Sequence, residues 1–221
     1  MQDRRSILTV ITAAPSYDLV LLDDVHTELG IATGDTSNDV WFGKAITRIS
    51  ATVSKYCKRV FQLETVNETI YPQLDAYPSQ VPGRVQPLQL ARWPVADVTS
   101  VNVFDVQGNA IPYTLGTDYV LKADEGQLIK LNPFNGHQSS WDPVPTAVVY
   151  QAGYATIPED LQGAVLDLIS SAFANRGQDA MLMSITEQGV ERRFWVETGK
   201  DGRFPPKIRE VLDDYRVPTA F

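Results

Sequence analysis

The sequence is poor in the residues that most often carry chemistry. In 221 residues it has one cysteine, Cys57, and two histidines, His26 and His137. A single cysteine excludes an intramolecular disulfide framework and a cysteine cluster for zinc, so stability must come from packing or assembly, and a reducing compartment is implied. The histidines fall in different candidate elements with no metal-ligand spacing, and each reads as a satisfied surface residue. No phosphate-cradling glycine loop and no nucleophile-elbow pattern occurs. No stretch approaches the ~20 apolar residues needed to span a bilayer. The one candidate targeting segment, RRSILTVITAAPSYD, has only a short apolar run, Ile7 to Ile11. That run reads as a β-strand or extended arm, with secretion as the alternative. Lysine and arginine are absent from residue 6 to residue 43. The formal charge of −8 argues against general affinity for nucleic acid, yet suits a surface that DNA must pass without sticking.

What is present is enough for a core: 43% hydrophobic against 21% charged residues suits one domain, or one domain with an insertion. Leu19, Leu22, Val25 and Leu29 recur at helical spacing and predict a helix over 17–29, stopped by Gly30 and acidic on its other face through Asp18, Asp23, Asp24 and Glu28. A second helix is predicted over 38–59, with Ser37 as N-cap and Phe42, Ile46, Ile49, Val53, Tyr56 and Val60 as its apolar face. At ~100° per residue, Lys44, Arg48, Lys55 and Arg59 gather on the opposite face, widened by Lys58. A basic stripe without local acidic partners is a solvated face, or else it meets the acidic helix within the chain or on a neighbouring subunit.

From Val60 to Tyr150 the period changes to that of strands. VTSVNVFDVQGNAIPYTL places a Gln-Gly-Asn turn between two β-rich runs, and DYVLKADEGQLIKL puts Asp124, Glu125 and Gly126 at a second turn. Helical spacing returns in TIPEDLQGAVLDLISSAFANRG, with Thr156 and Glu159 in capping-box spacing and Gly177 as its end. The segment 177–204 is too long for an ordinary connection, and Arg192, Arg193 and Trp195 in its ERRFWVE run are candidate loop contacts. A last helix follows Pro205 and Pro206 and cannot pass Pro218.

Adjacent acids such as Asp23–Asp24 and Asp213–Asp214 point about 100° apart on a helix and read as solvated faces. Nothing rises to an active site, and neither a cofactor nor a metal is expected.

The order of elements carries more information than any single residue. LTVITAAPSYDLVLLDDVHTELGI, a long helix, RWPVADVTSVNVFD, the joint VVYQAGYATIPEDLQGAVLDLI and the ending FPPKIREVLDDYRVP together resemble the head-tail connector (adaptor, head-completion) family of tailed bacteriophages and phage-derived gene transfer particles. The joint, a strand ending in Ala-Gly-Tyr that leads through Ile-Pro-Glu-Asp into a helix, is its most specific stretch. Family members often carry a basic residue near the end of the first helix, where this chain has Thr27 and Glu28.

The resemblance implies an α+β fold: an antiparallel α-helical core with an inserted antiparallel β region and an extended C-terminal tail. Residues 1–59 form the arm and helical hairpin, 60–153 the β insertion, 154–215 the C-terminal helices and 216–221 a docking tail. It implies a structural, non-enzymatic role in the virion at the head-tail interface, in a particle made in the bacterial host cytoplasm. The partners implied are the portal protein, a stopper or tail-completion protein, and further copies of the chain in a ring typically of twelve. DNA passes through the channel without specific binding, and no membrane is involved. Tyr215, Arg216, Val217, Pro218 and Phe221 are then the portal-binding tail, and Asp23, Asp24, Glu28, Lys44, Arg48, Lys55 and Arg59 the subunit contacts. Two other classes stand beside this reading. One is a β-rich ligand-binding module that takes a glycan through Trp93, Trp141 or Tyr154; the other is a hydrolase with His137 in its site.

Overall fold

Alternation along Glu64–Tyr71 buries every second residue, as a strand with one face on a core must. This strand, β2, pairs antiparallel with β1 (Arg5–Thr12) on one side and with β8 (Thr146–Ala152) on the other. β8 in turn pairs with β4 (Val95–Phe104), and β4 with β5 (Ala110–Tyr113), giving a five-stranded sheet in the order β1-β2-β8-β4-β5. A second sheet has the order β3-β7-β6, from Leu88–Gln89, Gln127–Lys130 and Tyr119–Lys122. One core unites them, with Val66, Val101, Val148 and Tyr150 from the first sheet and Tyr119 and Leu128 from the second. The computed structural model describes residues 5–71, 87–176, 184–187, 190–193 and 204–217, and the fold is α+β with antiparallel sheets. Its contacts divide these residues into two units, the β unit of 5–16 and 60–156 and a helical unit of 17–59 and 157–217.

In the helical unit α3 (Glu159–Ala174) packs against α1 (Leu22–Leu29), α2 (Asp39–Cys57) and α4 (Pro206–Asp214). Phe42, Val53, Leu161, Val165, Ile169, Ile208 and Leu212 are buried. Each is worth about 1.5–3 kcal/mol on burial, as is Val25 of α1, which is why these four amphipathic elements hold together.

Several boundaries differ from expectation. The first helix starts at Leu22, not Tyr17: Leu21 is extended, and the Asp24 carboxylate accepts its N–H at 2.8 Å, which fixes the start. Leu19 and Val20 are buried from an extended lead-in, where the Leu19 N–H donates to Ser50 Oγ at 3.0 Å. The second helix is capped at Asn38 rather than Ser37 and ends at Cys57, because Lys58 turns into the left-handed region at φ 54°. Lys58 and Arg59 therefore leave the helical stripe. The Thr156–Glu159 capping box does not form. Pro158 is the extended N-cap of α3, and Gln162 reaches back to donate to the Ile157 carbonyl at 2.7 Å.

The Ala-Gly-Tyr joint has a steric reason. Gly153 sits at φ +115°, and a Cβ there would lie 2.2 Å from the Gln62 carbonyl oxygen. Its N–H donates to the Pro94 carbonyl and the Tyr154 N–H to the Phe61 carbonyl, so the chain leaving β8 is sewn to two other segments. Only glycine permits that approach.

Candidate functional site

The described root of the tail is fastened to its own helical unit. Tyr215 donates its hydroxyl to both oxygens of Asp160, at 2.7 and 2.9 Å, at the start of α3. Arg216 lies 5.1 Å from the Tyr56 ring centre and 3.7 Å from the Asp213 carboxylate, which also accepts the Tyr56 hydroxyl at 2.7 Å. Burial, and then the bond to Asp213, push the Tyr56 phenol up. The Val217 N–H closes on the Cys57 carbonyl at 2.9 Å. Cys57 is buried, and desolvation pushes its thiol up to about 12, so it is a packing residue and not a nucleophile. Pro218 and Phe221 lie outside the described residues.

The charged helix residues occupy the outer faces. Asp23, Glu28, Lys44, Arg48 and Lys55 are exposed, Asp24 is half-buried with its carboxylate on the helix start, and Arg59 is half-buried. Among the described residues, none of Asp23, Asp24 and Glu28 lies within ion-pair distance of Lys44, Arg48 or Lys55. A hydrogen bond that joins α1 to α2 is His26 Nε2 to Asp39 Oδ1 at 2.8 Å, so His26 is the satisfied histidine its sequence context suggested.

The segment 177–204 contains a hairpin that sequence reading missed: β9 (Ser184–Glu187) pairs antiparallel with β10 (Val190–Arg193), setting Arg192 opposite Ile185 and Arg193 opposite Ser184. The signal was the turn-prone Gln188-Gly189 between two short runs. Trp195 lies outside the described residues.

The aromatic residues considered for ligand binding are engaged in the fold. Trp141 is 7% exposed, donates its indole N–H to the Leu128 carbonyl at 3.0 Å and stacks on Tyr113 at 5.9 Å. That corrects the expectation of a glycan-facing Trp141: its face is covered and its polar edge is spent. Trp93 is half-buried against the core beside Gly126, and Tyr154 stacks on Phe61 at 6.3 Å. His137 is exposed on the 132–138 turn, where its N–H donates to Asn135 Oδ1. Among the described residues no group of three or more His, Cys, Asp or Glu side chains is arranged to hold a metal ion, and no helix is long and apolar enough to cross a membrane.

One buried polar cluster of the β unit went unpredicted. Glu64 and Glu68 point from β2 into the β core; Glu68 accepts the Tyr150 hydroxyl at 2.7 Å and the Ala91 N–H at 2.8 Å, while Glu64 meets Arg92 at 2.8 Å. Burial, and then the Glu68 charge, push the Tyr150 phenol far above its ordinary value. The sequence signal was two acids four apart on the face shared with Val66 and Ile70. The cluster staples the 90–92 segment to the sheet, a structural task.

No protein-family model matches the sequence, and comparison with curated proteins gave no match. Solved structures do match. A chain in the virion of a native gene transfer agent (GTA) particle aligns with a TM-score of 0.55 and 16% identity, covering 97% of each chain. Chains in the neck of an empty GTA particle computed with C6 symmetry and the neck of a native GTA particle computed with C12 symmetry align at 0.53 and 0.52, with the same identity and coverage. The chain shares its fold with these chains of gene transfer agent particles. The likeness spans both units.

Proposed function

We propose that the chain is a head-tail connector subunit of a phage-like particle. It forms a ring beneath the portal, extends the DNA channel and joins the head to the tail through a stopper or tail-completion protein. The observation that carries this reading is the shared fold over 97% of both chains with proteins of GTA virions and necks. The neck computed with C12 symmetry supports twelve copies. Catalysis has no part in this reading. The acidic balance suits a wall past which DNA slides, since few bases are offered to phosphate.

Within this reading Tyr215, Arg216 and Val217 form the root of the portal-binding tail, and Pro218 to Phe221 the reach. Tying the root down lowers the entropy lost when the reach docks, and repetition around a ring multiplies each weak contact. Asp23, Asp24 and Glu28 of one subunit face Lys44, Arg48, Lys55 and Arg59 of the next, and Arg192, Arg193 and Trp195 bridge subunits.

Co-sedimentation with purified portal oligomer from the same particle tests the reading, using the full chain and a chain ending at Val217, which keeps the root intact. Binding by the full chain alone assigns the tail its task. Equal binding by both keeps the connector and discards the tail, whereas binding by neither overturns the connector reading.

A further inference from the structure

The β unit carries an apolar knob and an apolar hole that do not fill each other. The knob is Phe134, 95% exposed at the tip of the 132–138 turn. Its presentation is rigid. Asn132 Oδ1 accepts the Phe134 N–H at 2.9 Å, the Asn132 carbonyl accepts the Gly136 N–H at 2.8 Å, and the Asn132 N–H donates to the His137 carbonyl at 2.8 Å. Gly136 takes the left-handed conformation that closes the turn. Below it, Lys130 is paired with Asp142 and Trp141 is locked in the core. A phenylalanine held in water on a fixed turn costs free energy that the fold does not recover, and aromatic anchors of this kind are what interfaces are built around.

The hole is an open cleft of about 550 Å³ whose apolar lining is Tyr71, Phe104, Val106 and Pro145, beside Thr69, Asp105, Gln107 and Gly108. Its lip is rigid too: Asp105 Oδ1 accepts the N–H groups of Gln107 and Asn109, at 2.9 and 2.7 Å, and Oδ2 the Asn109 side-chain amide at 2.8 Å. Val106, 88% exposed, stands on that lip. The cleft falls within the ~300–1,000 Å³ typical of ligand pockets, so it has room for an aromatic ring and the proline that precedes it. Phe134 is not among its lining residues.

Resting on the connector reading, we propose that Phe134 of one subunit seats in the Tyr71–Phe104–Val106–Pro145 cleft of the next copy of this chain. Two different patches meeting head to tail make a heterologous contact, and such a contact closes into a ring when the rotation allows. Polar chemistry agrees with the shape. His137, exposed three residues beyond Phe134, brings a ring N–H donor to Asp105, whose Oδ2 has accepting capacity left. The contact lies in the β unit and is independent of the tail.

The test uses the full chain assembled on its portal oligomer. Chains with Phe134→Cys are mixed with chains carrying Val106→Cys, and a short bismaleimide is added; the buried native thiol of Cys57 does not compete. Adducts between the two kinds of chain are expected, with none from either variant alone. In parallel, Phe134→Asp is assembled and closed rings are counted by electron microscopy. Loss of an aromatic anchor weakens a contact on the order of thirtyfold, so closed rings should become scarce while the thermal midpoint stays at the wild-type value. Rings that close with Phe134→Asp as they do in the wild type, together with no adduct between the two cysteine variants, overturn the contact and leave the connector standing. Adducts within a single variant overturn it in favour of a two-fold contact. A wild-type chain that forms no ring on the portal overturns both proposals.

Discussion

At the scale of single residues, two positions test the account most directly. Gly153 holds the joint between β8 and the chain leading to α3, with the Gln62 carbonyl where a side chain would begin. Gly153→Ala must both strain φ and push backbone from backbone, so a loss of about 2–4 kcal/mol is expected, read as a lower urea midpoint at unchanged slope. Cys57 tests burial. Its thiol is raised from 9.0 to about 12, mainly by desolvation, so the folded state binds the proton more tightly than the unfolded chain does. The stability this contributes is complete below pH 9 and is lost as pH rises through the window up to about 12. Cys57→Ala should flatten the fall of the urea midpoint across that window. Tyr56, Tyr119 and Tyr150, all raised by burial, leave a residual slope at its alkaline end.

At the scale of elements, the aromatic cluster on α2 decides how firmly α3 is held. Phe42 is fully buried, with its ring centre 5.0 Å from Phe173, 5.4 Å from Trp41 and 6.0 Å from His26. Phe42→Ala should cost about 3–5 kcal/mol, seen in chemical denaturation followed by tryptophan fluorescence, because the rigid rings around it cannot collapse into the space. The apolar face of α2 and the two hairpin turns of the β unit were legible in the sequence, since each follows from periodicity or from turn chemistry within a few residues. The start of α1 was not: Leu19 fits the helical period yet is buried from extended chain, held by Ser50, a residue from another element. Nor was the carboxylate cluster of Glu64 and Glu68, because its partners Arg92 and Tyr150 are distant in sequence. The exposed charges on the outer helix faces were legible as stripes, but no pattern along one chain states what they touch. No periodicity in the sequence marks Phe134, and only the bonded turn beneath it makes it a knob.

At the scale of the whole molecule, both units are assembled from segments far apart in the chain. The five-stranded sheet is the clearest case, with β8 hydrogen-bonded to β2 on one side and to β4 on the other. Without β8 there remain β1 with β2 and β4 with β5, and two-stranded ribbons are marginal on their own. A chain ending at residue 145 should therefore show no cooperative urea transition by circular dichroism, whereas the full chain unfolds cooperatively. Because these pairings are non-local, the full chain should also refold slowly for its size. The position of β8 has a further consequence in the cell. A ribosome adding about 5–20 residues per second needs roughly 4–15 s to travel from the end of β2 to the start of β8. During that interval Val66 and Ile70 of β2, buried in the folded protein, belong to a sheet that has no middle, so protein yield should depend on what shelters the chain while it is being made.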